Sequence, residues 1–174
     1  WNFDHEKCIA NNEALDTTNM DVFAGLDVGY RDPTAFCVIG YDWDEEQYYV
    51  LDEYLDAEKT TEQHAAEIQT LMQKWDIDFI YIDSAAQQTR YDFALQYDIS
   101  TSNAKKSVLD GIAHVAAIVD NDKLFVDQRC AETLSCLDQY QWDPNPNLAK
   151  EKPKHNKASH MADALRYALY SFET

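Results

Sequence analysis

Hydrophobic positions fall along this chain in two rhythms. Short apolar runs dominate residues 22–55, and apolar positions spaced by three and four dominate much of the chain beyond them. The runs at 22–28, 35–41 and 47–55 are short and rich in Val, Ile, Phe and Tyr. That pattern predicts strands, and the hairpin-length connection at 42–46 predicts an antiparallel meander. After Thr60, apolar side chains recur at Ala65, Ile68, Leu71, Met72 and Trp75, one face of a helix. Thr60 and Gln63 fit a capping box at its start. "FIYID" (79–83) reads as a buried strand. A helical crossover leads into it, so it is expected to lie parallel to the first strand. Helices are expected at 86–97, 108–119, 131–140 and 158–171. A short strand is expected near Ile99 and another at 123–127. Residues 143–156 hold three of the four prolines and are expected to be irregular. Residues 1–20 have no periodicity and are expected to be a linker or N-terminal arm, leaving 21–174 as the folded domain. The order predicts an α/β fold, a mixed sheet of about five or more strands with helices on both faces, as in the ribonuclease H-like class.

Composition narrows the class without naming it. The chain has 174 residues, 45% of them hydrophobic, which is enough for one domain with a real core. No apolar run approaches the roughly 20 residues of a membrane span. The four cysteines, Cys8, Cys37, Cys130 and Cys136, form no CxxC pair and are expected to be reduced thiols. The chain opens at Trp1 rather than Met, with no signal-peptide pattern, so a segment of a longer protein is expected. The formal net charge is −18. Taken as a total it argues against nucleic acid and for either a basic partner or a carboxylate metal site. Its distribution is uneven. Four of the fourteen basic residues, Lys150, Lys152, Lys154 and Lys157, lie in one short segment.

Three acids stand out by position. Asp27 ends the first strand and Asp83 ends "FIYID". Asp163 lies early in the last helix. Parallel neighbouring strands would bring the first two to one edge of the sheet, where open α/β sheets bind ligands. A helix passing that edge could add the third. Carboxylates placed so close repel unless cations neutralise them, and their oxygens suit Mg²⁺ or Mn²⁺. Two such ions about 4 Å apart form the clamp of phosphodiester cleavage. Each acid alone also fits a plain turn, cap or helix-dipole role. His160 shares a helix face with Asp163 and could ligate, orient a water or move a proton.

The stretches "GLDVGYRDPTAF", "IYIDSA", "NAKKSVLDGIAHVAAIV" and "SHMADALRYALY" together resemble the nuclease domain of the large terminase subunit of tailed bacteriophages. The likeness runs over about residues 23–172. It implies an endonuclease that cuts concatemeric double-stranded viral DNA during genome packaging, using two divalent cations, Mg²⁺ or Mn²⁺. By position it makes Asp27, Asp83 and Asp163 metal ligands, with Asp27 bridging both ions, and His160 a supporting catalytic residue. Lys105 and Lys106, and the group Lys150, Lys152, Lys154 and Lys157, become candidate contacts to DNA phosphates. The implied partners are an N-terminal ATPase domain, the portal and the small terminase subunit, at work in the host cell cytoplasm and away from membranes. The chain holds four glycines and no GxxxxGK[ST], so no phosphate-cradling ATPase motif is present in it. A Holliday-junction resolvase would share the fold and the HxxDA-like helix. A non-catalytic acidic interaction module would spread the carboxylates over a face instead of gathering them.

Overall fold

The computed structural model describes residues 9–10, 15–29, 31–139 and 157–173. Along the chain these give β1 (Ile9–Ala10), β2 (Met20–Asp27), β3 (Thr34–Asp42), β4 (Gln47–Asp56), α1 (Thr61–Trp75), β5 (Phe79–Ile82), α2 (Gln87–Gln96), β6 (Ser102–Asn103), α3 (Val108–Asp120), β7 (Leu124–Asp127), α4 (Ala131–Gln139) and α5 (Lys157–Ser171). Among the described residues the strands form one seven-stranded sheet in the order β1-β7-β4-β3-β2-β5-β6. The meander β2-β3-β4 is antiparallel, and β5 lies parallel to β2 after the α1 crossover. The sheet is therefore mixed, as the pattern predicts.

Two details differ from expectation. Within the first twenty residues, Ile9–Ala10 pair in parallel with β7 at the sheet edge, and Met20 already belongs to β2. The strand expected near Ile99 lies later, at β6. Ile99 is instead fully buried, its N–H donating to the Phe93 carbonyl as the chain leaves α2.

β2 is apolar on both faces, which suits a central strand covered on each side. Val22, Ala24 and Leu26 face one core, shared with Ala65 and Ile68 of α1 and Phe93 of α2. Phe23 faces the other, shared with α3, α4 and α5 through residues such as Ile112, Leu137, Met161 and Leu165. Alternation puts Gly25 and Asp27 on this second face too. Thr60 caps α1 with the reciprocal Gln63 bond that its sequence predicts. Glu53 of β4 caps α4, which packs on the same face of the sheet. Its carboxylate accepts the backbone N–H groups of Glu132 and Thr133 and the Thr133 hydroxyl, all within 2.9 Å. Cys37, Cys130 and Cys136 are buried free thiols. No helix among the described residues is long and apolar enough to cross a membrane.

Candidate metal centre

Strand register sets the first pair of acids. Leu26 lies beside Ile82 in the parallel β2–β5 pair, so the next residue of each strand is Asp27 and Asp83. Both therefore leave the sheet at its carboxyl edge, on neighbouring strands. The third acid arrives because α5 presses directly on β2. A Cβ built on Gly25 would lie 1.8 Å from the Ala164 carbonyl oxygen and 3.0 Å from the Ala168 nitrogen. Only a residue without a side chain allows that approach. Two residues further along β2 comes Asp27, and one turn before Ala164 comes His160.

His160 and Asp27 touch, with Nδ1 3.0 Å from Oδ2. When Asp27 is ionised it accepts, and His160 donates through Nδ1–H. Asp27 is largely buried. Burial first, and then the charge of Asp163, push its carboxyl up to about 6, against the opposing pull of His160 and Arg166. Asp83 behaves otherwise. Its modest burial would raise it. The Ala85 N–H, the Lys106 ammonium and Arg166 outweigh that and hold it below the ordinary carboxylate value. Lys106 Nζ sits 2.9 Å from Asp83 Oδ1. Arg166 Nη2 donates to Asp163 Oδ1 at 3.3 Å. Tyr167 lies close enough to all three acids to feel their charge, and burial with Asp27 and Asp163 pushes its hydroxyl well above the ordinary tyrosine value.

The predicted residues are thus gathered at one edge, but not as a finished cage. Among the described residues, no three His, Cys, Asp or Glu side chains converge tightly enough to hold an ion. Asp83 is turned to Lys106 and Asp163 to Arg166. Lys105 lies nearby over the Tyr170 ring and 3.7 Å from Glu173. Lys150, Lys152 and Lys154 fall outside the described residues. Lys157 opens α5, with its side chain outside them. Sequence reasoning misses Arg166, Tyr167 and Gly25. Arg166 and Tyr167 stand three and four residues after Asp163, so helical spacing alone is a signal that could find them.

Comparison with known proteins bears on the same span. The family model for the terminase RNaseH-like domain matches residues 24–172. The chain belongs to the terminase RNaseH-like domain family. This terminase domain is 46% identical over 159 residues to the large terminase subunit of Escherichia phage T5, covering 90% of the chain and 36% of that protein. It spans, then, about a third of the length of that relative. Its fold is similar to the large terminase of the thermophilic bacteriophage D6E, with a TM-score of 0.78 at 23% identity, over 95% of this chain and 42% of that one. It is also similar to the large terminase nuclease domain of bacteriophage SPP1, solved with bound Mn, with a TM-score of 0.70 at 23% identity, over 93% and 94% of the two chains.

In the chemistry of their oxygens, though not in their spacing, the acids of this terminase domain suit a hard divalent cation. These are carboxylate oxygens, the ligands Mg²⁺ and Mn²⁺ prefer. The raised Asp27 carboxyl reflects its burial first and then the neighbouring charge of Asp163, and a cation beside it would relieve both. Lys106 and Arg166 supply part of the counter-charge from within the protein.

Proposed function

We propose that the chain is the DNA-cleaving domain of a large terminase: a divalent-metal-dependent endodeoxyribonuclease that cuts double-stranded, concatemeric viral DNA during packaging. The observation that carries this reading is the β2–β5 register with the Gly25–Ala164 contact, which together bring Asp27, Asp83, Asp163 and His160 to one sheet edge. Family membership and the manganese bound by the SPP1 nuclease domain support it.

Asp27, Asp83 and Asp163 would hold two ions, Mg²⁺ or Mn²⁺. Bound there, the metal would supply Lewis-acid activation of the attacking water and charge to stabilise the leaving 3′-oxygen. The chain's own residues do the rest. His160 fixes the Asp27 carboxylate through one hydrogen bond. Lys106 and Arg166 offset the charge of the Asp83 and Asp163 carboxylates. Tyr167 stays protonated and adds no negative charge. Lys105 and the lysines at 150, 152, 154 and 157 are the candidate contacts to the phosphate backbone. In the longer protein we place an ATPase domain before this one, with the portal and the small terminase subunit as partners in the host cytoplasm.

The test is incubation of supercoiled plasmid with the chain and Mn²⁺. Nicking and linearisation are expected, and EDTA should abolish both. Asp27→Asn, Asp83→Asn and Asp163→Asn should each remove cleavage while leaving the circular dichroism spectrum unchanged. Full activity in all three variants overturns the proposal.

A further inference from the structure

Arg166 is an unusual side chain for a site that must face solvent and substrate. Its side chain is only 6% exposed, against 30% for Asp163, the acid it pairs with. Nη2 donates to Asp163 Oδ1 at 3.3 Å. Nη1 is buried and, among the described residues, has no hydrogen-bond partner. The guanidinium carbon lies 4.9 Å from the centre of the Tyr167 ring. The stem is clamped from the other side by α3. A Cβ built on Gly111 would come within 2.9 Å of both Cγ and Cδ of Arg166, and 3.3 Å from Tyr170 Cδ2. A glycine in a helix interior is unfavourable relative to alanine. Here it opens the slot in which the arginine lies.

A buried guanidinium with an unfilled N–H is destabilising, so its position calls for a role. Contact with DNA phosphate is ruled out by burial. Proton transfer is ruled out because arginine stays charged. Two roles remain, counter-charge to Asp163 and orientation of it. One nitrogen of the fork meets Asp163, and the ring of Tyr167 and the slot at Gly111 leave it little freedom to turn.

We propose that Arg166 is a positioning residue of the metal centre, wedged between Gly111 and Tyr167 so that it fixes the Asp163 carboxylate for divalent-ion binding. The inference rests on the metal-dependent nuclease reading, and it makes a prediction opposite in sign to simple electrostatics. If Arg166 were only a background charge, removing it would tighten cation binding, because like charges repel. If it positions Asp163, removing it weakens binding, because partners behind a metal ligand typically matter by about 10- to 100-fold in affinity.

The experiment is calorimetric titration of the 174-residue chain with Mn²⁺ alone, without DNA. The unaltered chain should bind. Arg166→Met keeps the packed stem and should weaken binding by about tenfold or more. Arg166→Lys keeps the charge but loses the planar fork, and should weaken it less. Gly111→Ala changes no charge and touches no carboxylate, yet should also weaken binding by pushing the stem out of its slot. In an Asp163→Asn background, Arg166→Met should have no further effect, which separates positioning from general destabilisation. Circular dichroism checks the fold of each variant. If Arg166→Met does not fold, Arg166→Lys and Gly111→Ala decide the matter. Binding that is unchanged or tighter in the folded variants overturns the inference alone. Failure of the unaltered chain to bind Mn²⁺ overturns the metal reading and the inference with it.

Discussion

Replacing Asp27 with asparagine should make the metal-free chain more stable at neutral pH while abolishing its chemistry. The magnitude comes from the site. The Asp27 carboxyl is pushed from 3.8 up to about 6, first by burial and then by Asp163. Between those two values the folded chain holds a proton that the unfolded chain has lost. Stability therefore falls as pH rises through this window, and the deficit is complete above the folded value. About 2 units at roughly 1.4 kcal/mol per unit give a penalty of about 3 kcal/mol. Asparagine carries no charge and escapes it. The pull of His160 on the ionised carboxylate is already contained in that value. The gain is therefore about 3 kcal/mol, or about 6–12 °C in Tm for a chain of this length. The assay is scanning calorimetry in EDTA from about pH 3 to about pH 8, a range that spans both carboxyl values. The two melting temperatures should nearly coincide at the acid end and separate as pH rises through about 6, with the asparagine variant higher. Because Asp163, His160 and Arg166 all face Asp27, the midpoint of that separation belongs to the group of residues and not to Asp27 alone. Added Mn²⁺ should raise the melting temperature of the unaltered chain only, since it stabilises what binds it. An asparagine variant less stable at the alkaline end, or a difference flat across the range, refutes the claim that the carboxylates are held together at an electrostatic cost.

Two further substitutions probe the frame around the site. Gly25→Ala would place a methyl carbon 1.8 Å from the Ala164 carbonyl oxygen. It should destabilise the chain by about 3 kcal/mol or more and displace α5 from β2, read as a urea midpoint shift together with loss of Mn²⁺ binding. Glu53→Ala leaves three donors at the start of α4 without their acceptor. It should cost about 3 kcal/mol in urea denaturation and leave Mn²⁺ affinity unchanged, because α4 carries none of the candidate ligands.

The meander, the crossover and the parallel return are legible in the sequence because each rests on local pattern. Short apolar runs with a five-residue connection can hardly pair otherwise, and a strand reached through one helix returns parallel. Asp27 and Asp83 are legible for the same reason, as acids ending apolar runs where burial gives them no advantage. The pairing of Ile9–Ala10 with β7 is not legible. Two residues carry no period, and their partners, Val126 and Asp127, lie far along the chain. The expectation of a strand at Ile99 rather than at β6 arises because a lone buried isoleucine looks the same in a turn as in a strand.

The counter-charges are the least legible part, and the reason is geometric. In the sequence Lys106 reads as a candidate DNA contact because a lysine before a helix advertises nothing else. Its ion pair with Asp83 exists only because the segment before α3 passes the end of β5, where the Ala104 N–H donates to the Ile82 carbonyl. Arg166 is hidden inside an ordinary amphipathic helix, where its spacing from Asp163 matches many surface ion pairs. Burial turns that common spacing into a constraint, and burial depends on Gly111, which lies on a different helix. The net charge of −18 misleads in the same way. At the sheet edge, Asp27, Asp83 and Asp163 stand against Lys106 and Arg166, cations that no running total along the chain would assign to them. The chemistry of such a site is written in the acids. Whether those acids are held apart, paired or aimed is decided by side chains that reach them only after the helices have packed.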